Sequence, residues 1–134
     1  MLPNKVVAHY QDGRILKGST SDFVPAKDHF HLTGADAPVG TKPTYVSVAE
    51  LKAVFFVKDL AGKPGHLDRK EFDPARPVMG RKLQVSFKDG EVLVGTTQGY
   101  QPGRSGFFVT PADPESNIDR CFVVSGATKD VHFL

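Results

Sequence analysis

Two histidines and the single cysteine are the side chains whose types and spacing could carry metal or covalent chemistry. His29 and His31 are two residues apart, so a β-strand would place both imidazoles on one face, with His9 as the candidate third ligand. Cys121 is the only cysteine, which excludes an internal disulfide and a cysteine-rich zinc site. Because no carboxylate motif and no second cysteine complete the set, we expect no bound metal and no cofactor.

The motifs of common enzymes are absent from the sequence. There is no G-x-S-x-G elbow, no P-loop and no H-E-x-x-H segment, and no local motif places a histidine beside Cys121. The glycine-rich stretch Gly99–Gly106 precedes a predicted strand, whereas phosphate-binding loops precede the N-terminus of a helix. We therefore interpret this stretch as a wide hairpin loop and predict that the protein is not an enzyme.

The charge of the chain is nearly balanced. Its 134 residues include 17 basic and 15 acidic side chains, a net charge of +2, which gives no strong field for a polyanion. The longest apolar runs, such as Ala53–Val57, are too short to cross a bilayer, so no membrane partner is expected. The first residues form no apolar secretory core, which favours the cytoplasm.

The elements that must position these side chains come from an internal repeat. Residues 5–57 align without a gap to residues 82–134, and 15 of the 53 aligned residues are identical. The paired positions include Asp12-Gly13 with Asp89-Gly90 and Lys27 with Arg104. A gapless match of this length indicates two copies of one unit.

Each unit reads as five short β-strands. Alternating apolar residues precede Asp12-Gly13 and Asp89-Gly90, a pair favoured in type I′ hairpin turns. Gly18 and its equivalent Gly95 fall in the middle of the second strand, where a Cβ would obstruct a sharp bend. The remaining strands are predicted near residues 29–33, 44–48 and 53–57 and at their equivalents near 106–110, 121–125 and 130–134, with a single helical turn at 48–52. The predicted fold is all-β: two tandem five-stranded SH3-like or Sm-like small barrels.

Residues 58–81 join the two units. Glycine, proline and mixed charges are typical of a linker or an ordered arm, and the positive excess of the chain lies here. Leu67, Phe72 and Met79 are candidates to hold this arm against a barrel. A segment of this length inside a compact protein suggests a functional role, although a plain tether explains it equally well.

The hairpin of the first unit resembles the first signature of Sm-like proteins. Asp12-Gly13-Arg14 forms the turn, Gly18 follows two residues after an apolar one, and Phe23 comes five residues later. The resemblance implies a small five-stranded barrel and, as its functional consequence, RNA or nucleotide binding. The Arg-Gly signature of the second Sm motif is replaced by Leu51–Val57, so nucleic-acid binding is the alternative here.

Two other segments resemble an uncharacterised bacterial domain family that accompanies PilZ and other signalling modules. They are Ala53–Asp59 and Gly95–Gly103. The resemblance implies a regulatory context. PilZ domains themselves bind cyclic di-GMP through an R-x-x-x-R pair, but Arg76 and Arg81 are five residues apart, so binding by that route is not expected.

The leading functional hypothesis is a non-catalytic adaptor that binds another protein in bacterial regulation or signalling. Phe55 and Phe56 are adjacent, so one of the two rings should leave its own core and contact the other unit or a partner. Tyr100 and Arg104 lie in the loop of the second unit, and Lys27 is the equivalent of Arg104 in the first. We predict Phe55, Tyr100, Arg104 and Lys27 as partner-binding residues. Oligomeric state and partner identity are left open by the sequence.

Overall fold

The structure is a computed structural model that describes residues 3–62, 65, 68, 70–72, 74, 75 and 77–134. The prediction of an all-β protein is confirmed. The first repeat contributes β1 (Asn4–Tyr10), β2 (Ile15–Thr20), β3 (His29–Gly34), β4 (Thr44–Ser47) and β5 (Leu51–Val57). The second contributes β6 (Arg81–Phe87), β7 (Val92–Thr97), β8 (Gly106–Pro111), β9 (Ile118–Val124) and β10 (Thr128–Phe133).

The internal repeat is visible in the strand boundaries. β6, β7 and β8 begin and end 77 residues after β1, β2 and β3, and a 3₁₀ turn follows the fourth strand of each repeat, at Val48–Glu50 and Ser125–Ala127. The predicted helical turn is therefore present in both copies. The clearest divergence is in the fourth strand, because β9 has seven residues and β4 only four.

All ten strands form one antiparallel sheet, in the order β10-β6-β7-β8-β9-β5-β1-β2-β3-β4. Two separate tandem barrels are not confirmed, since the sheet is continuous and does not close. The physical reason is that β9 pairs with β5 of the other repeat, from Ala53 opposite Val123 to Val57 opposite Ile118. β4 and β10 are left as the two edges of the sheet.

The sheet holds two hydrophobic cores, one on each side of its central strands. Alternate residues of β5 and β9 point to opposite faces. Phe56 and Phe122 join the core of the first repeat, around Phe30 and Leu32. The same two strands give the core of the second repeat the following side chains: Ala53, Phe55, Val57, Cys121 and Val123. Each core is therefore completed by a strand from the other repeat.

The hairpin turns differ from the predicted type I′ geometry. A type I′ turn requires positive φ at both central residues, and among the described residues only glycines have positive φ. In the first hairpin Gly13, with φ of 96°, donates its N–H to the carbonyl of Tyr10, and the Tyr10 N–H donates to Arg14. This is a three-residue loop with a left-handed glycine, and Gly90 repeats it.

The mid-strand glycines lie where the neighbouring strand approaches closely. A Cβ on Gly18 would overlap the carbonyl oxygen of Thr33, and a Cβ on Gly95 would overlap that of Thr110. In both repeats the neighbouring strand therefore approaches the glycine more closely than any side chain allows. This close approach lets the sheet curve around each core.

An ion-pair cluster connects the two repeats beside the junction strands. Lys52 of β5 is nearly buried, and its Nζ lies 2.7 Å from Asp89 Oδ2 and 2.7 Å from Glu91 Oε1, both in the hairpin between β6 and β7. The same ammonium lies 4.7 Å from the ring centre of Phe87. Burial lowers the pKa of Lys52, but the hydrogen bonds that its ammonium donates to the two carboxylates outweigh this effect, so the net shift of the pKa is upward.

The described part of the arm contacts both repeats. From the first repeat, the Lys17 ammonium donates to the carbonyl of Leu60 at 3.1 Å. The second repeat provides the other contacts. Asp59 and Asn117 exchange two hydrogen bonds, Leu60 packs on the second core, and the Lys70 ammonium donates to the carbonyl of Val92 at 2.6 Å. Phe72 is half-buried beneath the Lys82 ammonium, whereas Met79 is largely exposed. The expectations for Leu67 and Arg76 lie outside the described residues. No helix in the described ranges is long and apolar enough to cross a membrane.

Candidate binding groove at the junction of the repeats

Two equivalent loops lie beside the junction of the repeats. In the first repeat the loop follows β2 and contains residues 24–28; in the second it follows β7 and contains residues 98–105. Together with the arm residues Pro77–Met79 they enclose a groove of about 1020 Å³, and the floor includes Phe108 and Phe122. This volume is at the upper end of the range for sites that bind small molecules or short peptide segments.

Lys27 and Arg104 line one smaller cavity beside this groove. It has a volume of about 520 Å³ and also includes Asp28 and Val124. Arg104 lines both the cavity and the groove. The structure thus brings together the two cations that the repeat alignment had paired only by position.

Tyr100 and Phe55 are placed differently from Lys27 and Arg104. Tyr100 is half-buried, with its ring edge-on to Phe107 at 4.8 Å and to Phe133 at 5.4 Å. Phe55 is only 8% exposed and packs in the core of the second repeat, with His9 edge-on at 4.7 Å. Phe55 is the ring that leaves its own core, and it contacts the other repeat of the same chain.

Exposed aliphatic side chains are concentrated in the groove. Seven large hydrophobic side chains are exposed among the described residues, and three of them line this groove: Val24 at 43%, Val78 at 41% and Met79 at 77%. Single exposed apolar residues are ordinary, but a group around one concave surface marks a binding site. The three come from the first-repeat loop and the arm, which are distant in sequence.

Arg120 is the cation held most firmly at this site. Its guanidinium lies 4.4 Å from the ring centre of Phe56 and 4.5 Å from that of Phe108. Phe23 packs edge-on against Phe56 at 5.4 Å, so the rings are themselves supported. Cation–π contacts of this kind fix the guanidinium plane while its N–H groups stay available.

The groove carries positive charge without a matching negative charge. Its described lining contains Arg104 and Arg120 and neither aspartate nor glutamate. The Arg104 Nε–H donates to Gln101 Oε1 at 2.9 Å, a neutral partner that holds the side chain without cancelling its charge. An apolar surface with two guanidinium groups is suited to a ligand that is both apolar and anionic.

The histidine pair forms a second polar cluster at the β3–β4 edge. His29 Nδ1 lies 2.8 Å from Asp28 Oδ1, and His31 Nδ1 lies 2.7 Å from Asp22 Oδ2, while Tyr45 stacks on His29. Partial burial raises the pKa of Asp22, but hydrogen bonds from the His31 backbone, the His31 ring and Thr20 outweigh it, so this pKa falls to about 2. These contacts fasten the loop after β2 to β3.

The described residues contain no group of three or more histidine, cysteine, aspartate or glutamate side chains close enough to share a metal ion. His9 lies apart from the other two histidines, beside Phe55 and Lys52. Burial lowers the pKa of His9, and the Lys52 charge acts in the same direction. Cys121 is fully buried in the second core, and this burial raises the pKa of its thiol.

The chain is an all-β protein in which two fused repeats share one sheet and form a groove beside their equivalent loops. The chain belongs to a family of unknown function, DUF6982, whose model matches residues 2–134. No curated protein and no solved structure matches the chain.

Sequence reasoning missed the residues that give the groove its character. Arg120 directly follows Asp119 in the exposed first part of β9, and its equivalent in the first repeat is Pro43, so the repeat alignment gave no reason to select it. Val24 and Val78 carry no distinguishing pattern. No local signal selects these three residues, because the surface that they share depends on the pairing of β5 with β9.

Proposed function

We propose that this protein is a non-catalytic binding module that holds a segment of another protein in the junction groove, and that it acts as an adaptor in bacterial regulation or signalling. The observation that carries the proposal is the convergence of Val24, Val78 and Met79 on one concave surface. Apolar area that is exposed in the free protein becomes a source of binding free energy when a partner covers it.

The rings around the groove favour a protein segment over nucleic acid. Base stacking requires an open aromatic face. Phe107 and Phe122 are buried, and Arg120 covers one face of Phe108. Phe72, which also lines the groove, is half-buried and has the Lys82 ammonium over its ring. The most exposed apolar side chains of the groove are aliphatic, and such surfaces pack against apolar side chains.

The ionisable groups of the groove support a non-catalytic role. In its described lining they are Arg104 and Arg120, and a guanidinium group offers hydrogen-bond donors but no acceptor that could serve as a general base. The thiol of Cys121 lies under the sheet and is kept in its neutral form by burial. Binding is the task to which this set of side chains is suited.

The strand order within each repeat supports the finer description of the fold. Within the first repeat it is β5-β1-β2-β3-β4, and the second repeats it as β10-β6-β7-β8-β9. We propose that each repeat is an open variant of an SH3-like or Sm-like small barrel. In a closed barrel the last strand of a repeat would pair with the fourth strand of the same repeat. Here β5 pairs instead with β9 of the other repeat.

The proposal is tested with a double substitution that removes apolar area without adding charge. Val24→Ser with Met79→Ser is compared with Val39→Ser, a fully exposed valine outside the groove. Affinity purification from the native host, quantified by mass spectrometry, should recover the same partner with the wild type and with Val39→Ser. Recovery should fall at least tenfold with the double variant. Equal recovery with a folded double variant would refute the proposal.

An RNA- or nucleotide-binding regulator is the second candidate, because Lys27 and Arg104 line one cavity. The two candidates are separated by fluorescence anisotropy with single-stranded RNA at about 50 and about 200 mM salt. Phosphate contacts weaken steeply between these concentrations. If the protein-binding proposal is right, Lys27→Gln and Arg104→Gln should not change the binding of this RNA. Salt-dependent binding that both variants abolish would favour the second candidate.

A further inference from the structure

We infer that the protein segment held in the groove is acidic: an extended peptide whose aspartate or glutamate side chain binds Arg120 and Arg104 while its apolar neighbours cover Val24, Val78 and Met79. This inference rests on the proposed function and adds the chemical class of the partner. Arg120 is its central residue.

The geometry of Arg120 is that of an anion anchor. Its guanidinium lies over the adjacent rings of Phe56 and Phe108, at 4.4 and 4.5 Å from their centres, and its side chain remains exposed. None of the ion pairs recorded between described residues involves Arg120. A planar fork of donors fixed in this way loses little conformational entropy when a carboxylate binds to it.

Other cations of the chain show what a paired cation looks like. Lys52 has two carboxylates at 2.7 Å, and Arg14 has Asp12 at 2.8 Å although it also stacks on a ring, that of Tyr10. Arg14 is thus an exposed, ring-stacked arginine whose charge is met by a neighbouring side chain. Arg120 is stacked in the same way, and a ligand would supply the carboxylate that pairs with it.

The surroundings select an acidic peptide among anionic partners. The described lining provides two guanidinium groups, which bind carboxylates through paired hydrogen bonds. It also provides aliphatic area, which contributes to binding only if the ligand has apolar side chains near its charge. Residues that satisfy both requirements are aspartate or glutamate flanked by side chains such as leucine, valine or phenylalanine.

Residues at the junction position Arg120 for this role. Phe56 belongs to β5, Phe108 to β8 and Arg120 to β9, so the stacked arrangement exists only because β5 and β9 pair. The groove and its anchor are therefore products of the fusion of the two repeats. Neither repeat alone contains all three side chains.

The test uses a random twelve-residue peptide display library selected against the full chain. The selected peptides should be enriched in aspartate and glutamate beside apolar residues, and a synthetic peptide of the enriched sequence serves as the probe. Arg120→Gln should raise its Kd about 10- to 100-fold, the range expected for a lost charge-assisted pair. Arg120→Lys should recover part of this loss, and the matched control Arg14→Gln should leave Kd unchanged.

Substitution on the peptide side makes the test independent of protein folding. Replacing the glutamates of the probe by glutamines should weaken wild-type binding to the same extent, and Arg120→Gln should then have little further effect. This inference would be overturned, and the proposed function left standing, if the glutamate and glutamine forms of the probe bound the wild type equally well while the double variant Val24→Ser with Met79→Ser bound neither. Probes that bind the double variant as well as the wild type would overturn both.

Discussion

The two last strands, β5 and β10, occupy equivalent places in the repeats but have opposite surroundings. All seven residues of β5 are buried because β1 and β9 lie beside it and a hydrophobic core covers each of its faces. β10 has only β6 beside it, and no residue of β10 is fully buried. Their sequences match this difference: Ala53 and Phe55 of β5 correspond to Asp130 and His132 of β10.

The fourth strands and the first hairpins differ in the same way. Arg120 in the paired strand β9 corresponds to Pro43, which lacks an N–H and directly precedes the shorter edge strand β4. In the second repeat Asp89 and Glu91 reach Lys52 across the junction, whereas in the first Asp12 pairs with its own neighbour Arg14. After duplication, one pair of edges became complementary and the other became polar.

The largest effect is expected at the junction itself. Phe55→Ala should lower the free energy of unfolding by about 3–5 kcal/mol, since it removes a buried ring from the core of the second repeat. Replacement of the equivalent exposed residue, His132→Ala, should change it by less than about 0.5 kcal/mol. Urea titration measures both. A similar loss in the free energy of unfolding for the two variants would mean that β5 and β10 contribute equally to stability.

Calorimetry of the wild-type protein tests whether the two repeats unfold together. Because each core includes strands from both repeats, the protein should unfold in a single transition. Two separated transitions would contradict the shared cores.

A second effect should be the same in both repeats. Gly18→Ala and Gly95→Ala should each destabilise the protein by about 2–3 kcal/mol, because the new methyl group overlaps the carbonyl of the adjacent strand. Gly99→Ala is the control, since no atom lies within 4 Å of a Cβ built there. Thermal unfolding measures all three. A neutral result at one of the first two positions would show that the repeats do not share the same bend.

The cross-repeat ion cluster should give a smaller effect. Lys52→Met should cost about 1–2 kcal/mol, less than a fully buried pair would, because Asp89 and Glu91 are about half exposed and water replaces part of the interaction. The equivalent Lys129→Met should be nearly neutral, because Lys129 is exposed at the sheet edge. Urea titration measures the free energy of unfolding of the two methionine variants. Equal losses would contradict the expected difference between Lys52 and Lys129.

The smallest expected effect concerns acid stability of the first repeat. The pKa of Asp22 is about 2 in the folded protein, against an ordinary value of 3.8. A lowered carboxyl pKa stabilises the fold above pH 3.8, and this contribution is lost as the pH falls towards 2. Asp22→Asn should therefore have a flatter stability profile over this interval in chemical unfolding at several pH values. An unchanged slope would show that Asp22 does not contribute.

Much of the architecture was predictable because it depends on local patterns. Alternating side chains, Asp-Gly turns and the repeated glycine placed the strands of both repeats within a few residues. The turn type was wrong, since Asp-Gly also fits a three-residue loop in which only the glycine has positive φ. Of the four predicted partner-binding residues, Lys27 and Arg104 line one cavity, and their role in binding stays a prediction. Arg120, Val24 and Val78 of the groove were not identified from the sequence.

The sequence by itself determined an all-β chain made of two related units, because side-chain alternation and turn residues act over a few neighbouring positions. Only the tertiary structure decided that β9 pairs with β5, that Phe55 enters the second core, and that Arg120 lies over two rings, one from each repeat. These contacts join residues distant in the chain. The free energy that selects them comes from apolar surface that both repeats bury together.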